Sequence, residues 1–291
     1  MRHAPLAGLS CVCPCATTAL CSCSTEPEGT ADGSPHGAAD GGVDAGDIVF
    51  VPPDAGVPPD ASDYEGPSIV YGHSSGTLYE LDPTTKAVTV VGAFSGCSDV
   101  IDQALDKDST LYATAFDGLY RIDAANAQCT LVSSGTYPNS LSFVPAGTLD
   151  PNVEALVGYN GSDYVRIDTT TGVVTIVGAL TGGHSSSGDI VSVKGGATFL
   201  TVKGPGCDDC PIKVNPKTGD LLENLGSIGY TDVFGLAYWA GKVYGFTDGG
   251  KMFEVSPKAG LPTTIIPVPN PPVGPSFWGA GSTTSAPAGP N

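Results

Sequence analysis

Five short polar–apolar steps are the places where this chain could do oxygen chemistry: Asp99-Val100, Ser140-Leu141, Asp189-Ile190, Asp232-Val233 and Ser276-Phe277. Three carboxylates and two hydroxyls are hard oxygen donors. Brought into one ring, they could coordinate calcium, order a water cluster or hold an amine-bearing ligand. The simpler reading of each is a cap on the backbone where the chain enters a strand. His73-Ser74-Ser75 and His184-Ser185-Ser186 add two imidazoles, which near carboxylates could bind a metal or act as a base; solvated loop histidines are the plainer alternative. Cys207-Asp208-Asp209-Cys210 has the spacing of a redox motif. It lies between two strands with no helix to stabilise a thiolate, and its two acids would raise the thiol pKa values. In an exported protein it reads as a structural disulfide. Cys97 and Cys129 either pair across one repeat or stay free. No His-Glu-x-x-His pair, phosphate loop or dinucleotide fingerprint occurs in the sequence, and no residue is assigned a catalytic role.

The elements that would position these residues come from a repeat. Thr77–Gly92 (TLYELDPTTKAVTVVG) reads as a strand, a tight Asp-Pro turn and a second strand. The phrase recurs at Leu119–Val132, Tyr164–Gly178, Ile212–Leu225 and Met252–Ile265. The turn residues Asp82, Asp123, Asp168, Asn215 and Ser256 are 41, 45, 47 and 41 residues apart. A period of that length, filled with short strands, predicts propeller blades. Each unit divides into four strands, of which the last two are the recurring phrase. Innermost strands are expected near Asp99–Ala104, Ser140–Pro145, Asp189–Val193 and Asp232–Trp239. The first unit lacks one, and Ser276–Ser282 near the chain's end resembles Val233–Trp239 and supplies it. The expected fold is all-β: a five-bladed propeller of four-stranded antiparallel blades over residues 67–285, closed by a C-terminal strand that completes the first blade and leaves no open edge. Residues 286–291 read as a frayed tail. In such a propeller the five polar–apolar steps would ring one mouth of the central channel.

Charge and composition narrow the partners. The chain of 291 residues carries a net −18. Ten acids and no Lys or Arg fall in residues 25–66, which leaves −9 from Pro67 onward. Nucleic-acid affinity rests on phosphate neutralisation, so an acidic chain without a basic patch is not a nucleic-acid binder. Residues 25–66, rich in Pro, Gly, Ala and Asp, cannot bury enough surface to offset their ordering entropy and read as an extended disordered linker. Residues 1–24 have a basic start, a weakly apolar run and small residues, the pattern of an export segment. Leu20-Cys21-Ser22-Cys23 resembles the bacterial lipobox, which would make Cys23 a lipidated first residue. An ordinary cleaved signal and a start that lies elsewhere remain alternatives, and the Cys-x-Cys steps also allow a soft-metal site.

Asp99–Val132 and Asp232–Gly260, with their inner strand, Gly turn, Leu-Tyr strand and hydrophobic-Asp-Pro turn, resemble blades of the NHL-repeat, gluconolactonase-like and streptogramin-lyase-like propellers. The resemblance spans about Ser68–Ser285 and implies fold rather than function. Enzymes of that class use metal-binding carboxylates in the channel or a catalytic His; Asp99, Asp189 and Asp232 are the partial match, and the lactonases' Glu and Asn ligands have no counterpart here. A Cys tether, an Asp/Pro/Ala linker and a propeller together resemble cell-envelope lipoproteins of myxobacteria-like bacteria. The expectation is an exported cell-envelope protein, periplasmic, extracellular or anchored in the outer membrane by lipid alone. It would act as a monomeric, non-enzymatic binding or scaffolding module for a protein or small molecule, with calcium the one cofactor the ring could take. The alternatives are a metal-dependent hydrolase or lyase at the channel mouth and a purely structural envelope protein.

Overall fold

The computed structural model describes residues 70–256, 263–268 and 276–289. The expected export segment, Cys23 and the 25–66 linker lie outside the described residues. The first blade supplies β1 (Val70–His73), β2 (Thr77–Leu81) and β3 (Val88–Ala93). The second holds β4 (Val100–Leu105), β5 (Leu111–Ala115), β6 (Gly118–Asp123) and β7 (Gln128–Ser134). The third holds β8 (Leu141–Val144), β9 (Ala155–Asn160), β10 (Asp163–Ile167) and β11 (Val174–Ala179). The fourth holds β12 (Ser185–Ser192), β13 (Thr198–Gly204), β14 (Cys207–Val214) and β15 (Leu221–Asn224). The fifth holds β16 (Val233–Trp239), β17 (Lys242–Thr247), β18 (Met252–Ser256) and β19 (Thr264–Pro267), and β20 (Gly279–Ser282) follows. Each blade is a four-stranded antiparallel meander. β20 pairs with β1, Val70 opposite Ser282 and His73 opposite Gly279, so the end of the chain closes the first blade as expected. Ser185 and Ser186, expected in a loop, open β12, and the closing strand begins at Gly279 rather than Ser276.

The turn between the two outer strands shows why one phrase suffices. The Asp82 carboxylate accepts the N–H groups of Thr84 (2.7 Å) and Thr85 (3.1 Å); Asp168 does the same for Thr170 and Thr171. Asp123 and Asn215 cap Ala125 and Lys217. Four residues past each cap the backbone is left-handed, at Lys86 (φ 63°), Ala127 (59°), Gly172 (73°) and Gly219 (74°). These side chains are turn caps, as the spacing suggests.

Apolar residues fill the spaces between blades in four clusters, with Tyr159, Tyr164, Phe246, Phe253 and Phe277 among the largest wholly buried side chains. Ser95 bridges to Gln128, and Cys97 bonds to Cys129 of β7 across 5.7 Å between Cα atoms. That disulfide therefore staples the segment leaving blade 1 to blade 2. Cys207 and Cys210 bond within blade 4. The tail is held through residue 288 rather than frayed: Ala286 is buried, the Ala240 N–H donates to Pro287 O (2.8 Å), and the Tyr238 hydroxyl donates to Ala288 O (2.8 Å).

Candidate functional site

The innermost strands β20, β4, β8, β12 and β16 each leave one edge without a strand partner, so their N–H groups need acceptors. At one level the chain supplies them. Asp102 and Asp189, both wholly buried, come from blades 2 and 4, which are not neighbours, and meet on the axis. Asp102 Oδ1 accepts Gln103 N–H (2.8 Å), and Leu141 N–H points at the same carboxyl. Asp189 Oδ1 accepts Ile190 N–H (2.6 Å); its Oδ2 accepts Leu236 N–H (2.7 Å) and Ala280 N–H (3.4 Å). One donor thus comes from each of the five blades. Thr201 Oγ1 receives Asp189 N–H (3.1 Å) and donates to Val233 O (3.3 Å), which ties blade 4 to blade 5.

Burial holds both carboxyls well above the ordinary carboxylate range. For Asp102 the negative charge of Asp189 and the hydrogen bond it donates to Asp189 raise it further; for Asp189 that bond and the N–H donors work against burial. Two acids in contact in a buried site do not both ionise. Asp189, with three N–H donors, is the carboxylate, and Asp102 is the acid that donates to it. Asp102 Oδ2 accepts no N–H from the described residues, which leaves it free to carry the proton.

His73, also wholly buried, completes the cluster from the end of β1. Its Nδ1 donates to Ser74 O (2.9 Å), so Nε2 is the unprotonated nitrogen, and it has no partner. Burial lowers the imidazole pKa to about 4, against the Ser74 bond, which raises it. Gly279 makes the approach possible: a Cβ there would lie 2.3 Å from His73 Nε2 and 2.5 Å from Asp102 Oδ1.

Directly above this level lies a cavity of about 250 Å³ lined by Ile101, Asn139, Ser187, Gly188, Phe234 and Trp278. Apart from Ser187, each is the residue immediately before its blade's position in the axial level: Asp102, Ser140, Asp189, Gly235 and Gly279. The pairing of β4 with β5, β12 with β13 and β16 with β17 slips at Val100/Asp102, Ser186/Ile190 and Val233/Gly235. These bulges place Ile101, Ser187-Gly188 and Phe234 between paired positions and turn them to the mouth. Gly188 is forced, because a Cβ would sit 2.2 Å from Val233 O of the next blade. Ser187 Oγ is buried without a partner.

The expected ring of Asp99, Ser140, Asp189, Asp232 and Ser276 is therefore regrouped. Ser140 and Asp189 lie at the axial level, Ser140 Oγ accepting Tyr159 N–H (2.8 Å). Asp99 (φ 53°) and Asp232 (φ 56°) are exposed, three residues ahead of Asp102 and Gly235, in the left-handed bends that precede the strands. Asp232 N–H donates to Asp209 Oδ2 (2.6 Å), and the Ser276 hydroxyl bonds Asp248. His184 packs on Gly182 and Gly204 at the edge of blade 4, outside the cluster. Among the described residues no group of three or more His, Cys, Asp and Glu is arranged to hold a metal ion. Asp102 and the collar were missed. The signal was available: Val100-Ile-Asp-Gln-Ala, Val233-Phe-Gly-Leu-Ala and Phe277-Trp-Gly-Ala-Gly superimpose on their third residue, two of them glycines.

A second cavity of about 370 Å³ opens at the far ends of the inner strands, between blades 2 and 3, beside Tyr112, Phe143 and Glu154. Glu154 accepts Lys107 N–H (2.7 Å) and the Thr284 hydroxyl, which fastens the C-terminal segment beneath the channel.

No family model matches the chain, and no curated protein matches it. It is similar to a solved symmetrical protein from a study of de novo evolutionary emergence (15% identity over 72% of this chain and 92% of that one, TM-score 0.47). It is also similar to a Bacteroides caccae protein of unknown function (13%, 73% and 77%, TM-score 0.41) and to an oligogalacturonate lyase in complex with manganese (13%, 69% and 61%, TM-score 0.36). Likenesses this distant carry nothing about activity.

Proposed function

We propose that this chain is an exported binding propeller, of the kind related to the NHL-repeat and gluconolactonase-like class, that takes a small ligand at the mouth of its channel. The observation that carries this reading is the collar. Five blades each contribute to one cavity, in which Ile101, Phe234 and Trp278 give an apolar wall and Asn139 and Ser187 give hydrogen-bonding groups. An apolar pocket with a few convergent polar groups, next to ionisable groups of shifted pKa, is the ordinary form of a small-molecule site. No charged side chain lines it. The ligand it suits is uncharged, flat and mainly apolar, with one hydrogen-bonding edge, and smaller than a drug-sized molecule. Two disulfides support export to an oxidising compartment.

Metal-dependent hydrolysis or lysis at the mouth is the competing reading. The chemistry of the axial level favours binding. Both oxygens of Asp189 and Oδ1 of Asp102 already face N–H donors, whereas a calcium ion needs oxygen acceptors turned toward it.

Benzamide, neutral across the usual pH range, is the probe. At roughly 0.3 kcal/mol per non-hydrogen atom its dissociation constant falls in the millimolar range. Calorimetry on the full chain should show saturable binding that Phe234→Ala and Trp278→Ala each weaken at least several-fold, with no stabilisation by calcium. Binding that survives both substitutions, or a calcium-dependent rise in melting temperature lost in Asp189→Asn, would overturn the reading.

A further inference from the structure

We propose that the mouth site is gated by one proton, held on Asp102 and shared with Asp189. While the proton is present the five inner strands are tied together at the axis and the collar is formed. When it leaves to solvent, two carboxylates face each other and the collar loosens. This rests on the reading of the mouth as the ligand site and concerns its regulation.

The coupling is a matter of chain neighbours. Ile101 precedes Asp102, and Gly188 precedes Asp189. Phe234 and Trp278 stand two residues before the Leu236 and Ala280 amides that Asp189 binds. Asn139 likewise stands two residues before Leu141, whose N–H points at the Asp102 carboxyl, so all five collar positions are one or two peptide units from an atom of the carboxyl pair or from its donor. A wholly buried pair is shielded from bulk solvent, so a second negative charge there is screened far less than at the surface. The N–H donors are fixed in five separate blades, so the pair cannot separate without moving strands that carry the collar. The groups presented at this level by the packed elements are His73 from β1, Thr114 from β5, Ser140 ahead of β8 and Thr201 from β13, while β16 and β20 present Gly235 and Gly279. His73 is the other titratable group there, and it stays neutral above about pH 4. A charge change at higher pH at this level therefore belongs to the pair.

The test is benzamide affinity of the full chain from about pH 5 to about pH 10, in wild type and Asp102→Asn. For one proton, affinity falls by at most tenfold per pH unit once the pair ionises. Asparagine keeps an N–H donor toward Asp189 and cannot lose the proton, so its affinity should match the low-pH wild type and stay flat. Infrared spectroscopy of the wild type should show the carbonyl stretch of a buried carboxylic acid at neutral pH, lost in Asp102→Asn; this reading needs no ligand and stands even if the variant folds poorly. Parallel pH profiles in the two proteins, a wild-type affinity flat to about pH 10, or no acid carbonyl band would overturn the gate while leaving the mouth site in place. Benzamide that binds at no pH would overturn both, and the infrared band would then report a structural proton alone.

Discussion

His73 should make stability pH-dependent in a direction that one substitution reverses. The folded chain keeps its imidazole neutral down to about pH 4, against an ordinary value of 6.5. Below 6.5 the unfolded chain takes up a proton that the folded chain refuses. His73 therefore contributes stability fully above pH 6.5 and loses it as pH falls toward 4. At 1.36 kcal/mol per unit the loss is about 3 kcal/mol. The carboxyl pair works the other way. The folded chain holds a proton that unfolded aspartates lose above about pH 4, so stability falls as pH rises, by about 1.4 kcal/mol per unit for one proton. Between about pH 4 and pH 6.5 the two slopes oppose, and the wild type should be nearly flat from these groups. His73→Asn keeps a donor for Ser74 O and cannot charge. Its stability should fall with pH across that window. The difference between the two proteins, measured by urea unfolding at fixed pH, should grow by about 3 kcal/mol from pH 4 to pH 7, or roughly 6–12 °C in melting temperature for a domain of this size. Groups remote from residue 73 contribute equally to both proteins and cancel. Parallel profiles, offset by a constant cavity cost, would refute a buried, unpartnered Nε2.

Other outcomes follow from particular contacts. Gly219→Ala meets a left-handed backbone and the Tyr164 ring, with a Cβ 2.4 Å from the tyrosine Cβ, and should cost at least about 2 kcal/mol in denaturant unfolding, whereas Ala127→Gly at the matching turn loses a buried methyl but relieves a left-handed backbone and should cost less than about 1 kcal/mol. Gly279→Ala drives a methyl between His73 and Asp102 and should both destabilise the chain and weaken benzamide binding. Serine in place of Cys97 and Cys129, a pair 32 residues apart, should cost about 3–4 kcal/mol by loop entropy, against about 2 kcal/mol for Cys207 and Cys210; equal losses would mean that the first bridge does not staple two blades.

The fold was legible because it is written five times. The Asp82-type turns announce each outer hairpin, and the Phe-Trp-Gly of residues 277–279 matches the Val-Phe-Gly of residues 233–235, which is enough to assign the closing strand. The site was legible only in part. A polar residue ahead of an apolar one marks where a strand begins, and Asp99, Asp232 and Ser276 do that. What reaches the axis depends on where the pairing slips: a bulge moves the inward position three residues along in blades 2 and 5, the long β12 places Asp189 itself there in blade 4, and in blade 1 the inward residue is Gly279, the first of a closing strand that pairs with β1 without a bulge. A one-residue slip changes which face every side chain takes, and no local pattern of polarity reports it. The glycines opposite Asp102 do.

Those glycines also explain why two carboxyls serve five blades. The Asp102–Asp189 pair, seated between non-adjacent blades, serves five inward amides with fewer than four oxygens, because Asp102 Oδ2 accepts none of them. A side chain from every blade at this level would not fit: a Cβ on Gly279 already collides with His73 and Asp102, and one on Gly235 comes within 2.8 Å of Ala280 N. Blades 1 and 5 give up side chains so that blades 2 and 4 can supply the acceptors, and Ser140 turns its hydroxyl to Tyr159 instead. The same economy shapes the mouth. A bulge that brings an aspartate or glycine to the axis must put the preceding residue outside it, and that residue is Ile101 or Phe234; Trp278 holds the same place ahead of Gly279, at the start of β20. The collar is thus the other half of the register that satisfies the inner edges, which is why a change of charge on the pair reaches the ligand site without any intervening element.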